Sequence, residues 1–80
     1  MPDHVIAIPS QLGPVLQALR RSRGLSQKAL AELLGVTRQA VSDLERAPER
    51  ATFERLMRIL GALDAQFVLR PRKLASSTTW

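Results

Sequence analysis

Arg38, Gln39, Ser42 and Asp43 stand at i, i+1, i+4 and i+5 within LGVTRQAVSDLER. On a helix of 3.6 residues per turn these four share one face, and Val41 and Leu44 share the opposite one. A guanidinium can fork onto guanine O6 and N7, and a carboxamide onto adenine N6 and N7. Arg38 and Gln39 therefore carry the chemistry to read base edges. Arg38 has a second option, a phosphate contact or an ordinary solvated position. Ser42 can reach a base or a phosphate. Two roles are open to Asp43: accepting from cytosine N4, or balancing a nearby Arg.

Catalytic chemistry finds no such constellation. The chain has one His and no cysteine. His4 has no matching ligands around it, the carboxylates do not cluster, and there is no Gly-rich phosphate loop. Ser10, Ser26 and Ser42 have no base near them in the expected layout. The sequence thus reads as a non-enzyme without cofactor, metal or small-molecule substrate.

Charge points toward an anionic partner. Twelve Lys and Arg oppose seven Asp and Glu, for a net charge of +5. Lys28 and Lys73 are the only lysines, so Arg supplies the rest, and Arg suits forked contacts with phosphate and guanine. No apolar run approaches the ~20 residues that span a bilayer. MPDHVIAIPS lacks the basic start and long apolar region of a signal peptide. A cytoplasmic, nucleoid-associated protein with no membrane partner is expected.

Those side chains need elements to position them. Residues 1–9 read as an arm, β-prone over His4–Ile8 and stopped by Pro9. Ser10 is the expected N-cap of a first helix running to about Arg23, with Pro14 near its first turn and Leu12, Leu16 and Leu19 as its apolar stripe. Gly24 follows as a left-handed C-terminal residue. Ser26 caps a second helix, Gln27 to Leu34, which Gly35 ends. Thr37 caps a third, Arg38 to about Glu45. Ala31 is small where the second and third helices approach, and Val36, Val41 and Leu44 pack between them. Together they set the angle of the third helix.

After a polar loop at Ala47–Ala51, Thr52 caps a fourth helix, Phe53 to about Leu63. Phe53, Leu56, Leu60 and Leu63 form its apolar face, widened by Met57 and Ile59. Over residues 65–70 the period changes to that of a strand: Phe67 and Leu69 alternate with Gln66, Val68 and Arg70. A lone strand must pair with something, and the nearest partner is its copy in a second subunit. Phe67, Val68 and Leu69 are the expected dimerisation residues. An 80-residue chain without disulfides also has reason to dimerise. The expected organisation is an arm over 1–9, a helical domain over 10–63, a dimerisation strand over 64–71 and a flexible tail over 72–80 ending in Trp80.

Gln27, Ala31, Gly35, Val41 and Leu44 stand at the spacing of the lambda-repressor/Cro-like (XRE) helix-turn-helix family, and GVTRQAVSDLE resembles its turn and recognition helix. The resemblance covers about Ser10 to Leu63. It implies a mostly α, four- to five-helix DNA-binding domain. Arg20 and Glu45 match a pair that in this family bridges the first helix to the third, a structural role. A Gln at position 27 is implied to touch the phosphate backbone and to buttress the recognition helix. Lys28, Thr37 and Arg46 are further phosphate candidates, with Thr37 also a cap.

A closer resemblance is to HipB-type antitoxins. It rests on chain size, the β-prone segment after the fourth helix, and a short tail ending in Trp. It implies strands of two subunits paired in a small intermolecular sheet, a homodimer on a palindromic double-stranded DNA operator, and a HipA-type serine/threonine kinase toxin as partner. Such a protein represses its own toxin-antitoxin operon and neutralises the toxin. The alternative is a stand-alone XRE-family repressor without a toxin. Two recognition helices would lie about one DNA turn, ~34 Å, apart, and binding would fall steeply with salt. Trp80 is expected to enter a pocket on the protein partner; the competing reading is an ordinary chain end.

Overall fold

A computed structural model describes residues 3–71. Among them the chain forms four α-helices: α1 Leu12–Ser22, α2 Gln27–Leu34, α3 Arg38–Arg46 and α4 Phe53–Ala62. Short 3₁₀ turns at Pro9–Gln11 and Pro48–Arg50 precede α1 and α4. The mostly helical expectation holds.

Local chemistry sets most of the boundaries. The hydroxyls of Ser26, Thr37 and Thr52 accept from the backbone N–H of Ala29, Ala40 and Arg55, so α2, α3 and α4 each begin at the expected cap. Gly35 ends α2 with φ 71°, a left-handed conformation that costs a residue without Cβ little. The start of α1 differs from expectation. Ser10 does not cap it; Ser10 lies inside the 3₁₀ turn, and α1 begins at Leu12. The chain is already turned before α1: the Leu12 N–H donates to the Pro9 carbonyl, so Ser10 lacks the extended backbone of a cap, and Gln11 Oε1 accepts from the Ala7 and Ile8 N–H groups ahead of the turn, at 2.5 and 3.2 Å.

The core lies where the four helices meet. Leu16, Leu30, Ala31, Val41, Leu44, Ile59, Leu60 and Leu63 are buried. Two arginines tie the ends of the bundle together. Arg58 Nη2 donates to the Leu34 carbonyl at 3.0 Å, satisfying the C-terminus of α2. Arg23 Nε donates to the Leu63 carbonyl at 3.0 Å, and its Nη2 meets Asp64 Oδ2 at 2.6 Å. Asp64 itself has φ 57°, a left-handed conformation that Asp tolerates better than most residues.

The apolar face of α4 divides. Ile59, Leu60 and Leu63 enter the core, but Phe53 and Met57 do not; Phe53 is 61% exposed. They sit at the exposed margin of the stripe. Phe53 instead meets Phe67 edge-to-face, ring centroids 5.5 Å apart. Residues 65–71 carry no regular secondary structure. Phe67, Val68 and Leu69 are exposed, Leu69 at 82%. Pairing of this segment with a second copy is not a property of one chain. The tail over 72–80, with Trp80, lies outside the described residues.

Candidate nucleic-acid interface

The orientation of α3 is fixed by one buried ion pair and its neighbours. Arg20 on α1 is 6% exposed. Its Nε donates to Glu45 Oε2 at 2.6 Å and its Nη2 to Oε1 at 3.2 Å, a forked pair. Its Nη1 donates to the Leu25 carbonyl at 2.8 Å, tying in the link between α1 and α2. Gln27, the first residue of α2, donates from Nε2 to Glu45 Oε1 at 3.0 Å. One carboxylate thus holds α1, α2 and α3 together, and no buried side-chain polar atom among the described residues lacks a partner. Gln27 thereby contacts α3 from behind, through Glu45.

Gly13 adds a close approach that the sequence reading did not single out. It is buried on α1, and a Cβ there would fall far inside contact distance of the Glu45 carbonyl oxygen. The backbones of α1 and α3 can meet only because position 13 has no side chain. Gly13→Ala is expected to lower stability by about 1–3 kcal/mol through overpacking, a drop of roughly 4–20 °C in the melting temperature of so small a domain. Circular-dichroism melting checks this; an unchanged midpoint would show that α3 can shift at no cost.

Beyond this anchor, α3 turns its polar face outward. Thr37, Arg38, Gln39, Asp43 and Arg46 are exposed, and Ser42 is half-buried. Lys28 is exposed on the first turn of α2. Ser42 and Arg46 border an open cleft with Gln27 from α2 and Gly13, Pro14 and Gln17 from α1. Gln17 joins this cleft without having been marked in the sequence, where it stands on the polar side of the first helix, away from Leu12, Leu16 and Leu19. Of the four expected phosphate side chains, Gln27 and Arg46 border this cleft, and Lys28 and Thr37 do not. Asp43 Oδ1 accepts from Gln39 Nε2 at 2.9 Å and from Arg46 Nη2 at 2.5 Å.

Two helices joined by a Gly turn, the second anchored from behind and polar in front, form the layout that inserts a helix into the major groove. The family pattern described as helix-turn-helix matches residues 16–68, spanning all of α2, α3 and α4. The chain belongs to the helix-turn-helix family. It is 34% identical over 64 residues to the HTH-type transcriptional regulator PuuR of Escherichia coli K12, a match covering 76% of this chain and 35% of that protein. It is 39% identical over 62 residues to an HTH-type transcriptional regulator of Rickettsia conorii, covering 78% of this chain and 50% of the relative. The chain therefore spans half or less of those regulators' length. Antitoxin HipB of E. coli K12 is 29% identical over 68 residues, 85% of this chain and 77% of HipB. The solved HipA-HipB-O2-O3 complex contains a chain that superposes with TM-score 0.79 at 27% identity, covering 89% of this chain and 100% of that one. The chain thus carries the helix-turn-helix fold of this family, and the relatives it matches are named as transcriptional regulators and an antitoxin. Among the described residues no helix is long and apolar enough to cross a membrane.

Proposed function

We propose that this helix-turn-helix protein is a dimeric antitoxin that represses its own operon and neutralises a HipA-type serine/threonine kinase. The observation that carries the DNA half is the outward face of α3, held from behind by Arg20, Glu45 and Gln27. Arg38, Gln39 and Ser42 meet base edges of a palindromic operator. Gln27, Lys28, Thr37 and Arg46 meet phosphates. The toxin half is supported by likeness to HipB over the full length of the solved HipB chain, in a structure that also contains HipA.

The dimer has a surface to form on. Phe53 and Met57 on α4 and Phe67, Val68 and Leu69 after it are large apolar side chains left exposed by a single chain. A second copy, paired through residues 65–70, covers them and satisfies the backbone of that segment. Arg70 Nη2 lies 3.3 Å from Asp3 Oδ2, so the N-terminal arm runs beside the same segment. A repressor without a toxin is the second reading, favoured by the higher identity to the two transcriptional regulators.

The test is a pull-down from the native host with the chain intact and with a version ending at Lys73, followed by mass spectrometry. A kinase recovered with the intact chain supports the antitoxin reading. Its loss on truncation assigns the contact to the segment that includes Trp80, and its retention assigns it to the folded body. Recovery of DNA-associated proteins alone favours the stand-alone repressor.

A further inference from the structure

Asp43 has no place in the reading above. A carboxylate on the DNA-facing side of α3 repels phosphate, and half of its side chain is exposed, at 51%. Its bonds give it one. Oδ1 accepts from Gln39 four residues earlier and from Arg46 three residues later, at 2.9 and 2.5 Å. These spacings align the three side chains along one face of the helix.

A carboxylate only accepts hydrogen bonds. The Gln39 amide must therefore turn its nitrogen toward Asp43, because the flipped amide would set oxygen against oxygen. With one N–H so used, Gln39 still offers Oε1 and its second N–H. That acceptor and donor match the N6 donor and N7 acceptor of adenine in the major groove. The same carboxylate draws the Arg46 guanidinium along the helix and offsets its charge, which weakens its attraction to phosphate.

We propose that Asp43 is a positioning residue for base readout: it presets the Gln39 carboxamide for adenine and restrains Arg46 from sequence-independent binding. This deepens, and rests on, the assignment of α3 as the DNA-reading helix. Asp43 gives up some total affinity and raises the ratio of specific to non-specific binding.

The experiment is selection from randomised DNA duplexes with the wild-type chain, Q39A, D43A and D43N, each first shown by its melting curve to fold. The wild type is expected to enrich a two-fold motif, and Q39A to erase the adenine preference at one step of each half-site. D43A weakens that same preference about tenfold. It also binds unrelated DNA more tightly, with a salt dependence steeper by about one counterion per subunit. D43N keeps an acceptor oxygen without the charge, so it retains the adenine preference while still binding unrelated DNA more tightly. A wild-type preference in D43A overturns the proposal, as does a D43N that loses the preference as fully as D43A. A motif unchanged in Q39A overturns it too, while leaving α3 as the reading helix. No enrichment by the wild type overturns both.

Discussion

Replacing Arg20 with Met is expected to cost about 3–5 kcal/mol of stability, the penalty for leaving one member of a buried ion pair without its partner. Glu45 would keep a single side-chain donor, from Gln27, in a site where its side chain is 5% exposed. For a small domain whose total stability is on the order of 5–15 kcal/mol, such a loss leaves a marginal protein at physiological temperature. Thermal or urea unfolding measures it. The double variant R20M/E45L separates two contributions. Apolar replacement of both partners removes the stranded charge, and much of the stability is expected to return. DNA binding is expected to stay impaired, because Gln27 loses the carboxylate that holds it and α3 loses its tether to α1. A single variant as stable as the wild type would show that the pair contributes little to stability.

The second large effect is on DNA. Arg38→Ala is expected to weaken operator binding by about 2–6 kcal/mol, summed over the two half-sites of a dimer at about 1–3 kcal/mol for each forked base contact. That is roughly 30-fold to 10⁴-fold in affinity. Binding to unrelated DNA is expected to fall far less. The melting temperature should stay within a few degrees, since Arg38 is exposed. Fluorescence anisotropy with operator and scrambled duplexes at one salt concentration gives both affinities. Equal losses on the two duplexes would reassign Arg38 to a phosphate.

Helices α2 and α3 were legible in the chain because their signals are local. Ser26, Gly35 and Thr37 act on backbone groups within three residues, and Ala31 and Val41 declare their packing by size and period. Arg20 and Glu45 are far apart in sequence, and only the resemblance to a known family linked them. Features made by tertiary approach had no such signal. Gly13 reads as a weak point in a helix, yet its lack of a Cβ admits the Glu45 carbonyl. Arg58 on Leu34 and Arg23 on Leu63 join residues remote in sequence, and a charged side chain does not announce which carbonyl it will cap. The apolar stripe of α4 misled for another reason. A residue that faces its own core and one that faces a partner have the same hydropathy, so Phe53 and Met57 could not be told from Ile59 and Leu60. At the site, residue types and the shared face were readable. The choice between the two roles of Asp43 was not, because it turns on the rotamers of Gln39 and Arg46; in the free chain the carboxylate balances Arg46.

The two sides of α3 share no side chains. Val41, Leu44 and Glu45 hold the helix in place, while Arg38, Gln39 and Asp43 are exposed. Substitutions on the outer side therefore act almost independently of those on the inner side. A lineage carrying this domain can change the operator it recognises in single steps without passing through unfolded ancestors. Duplicated copies can diverge until they no longer regulate each other's genes, while the scaffold beneath stays the same.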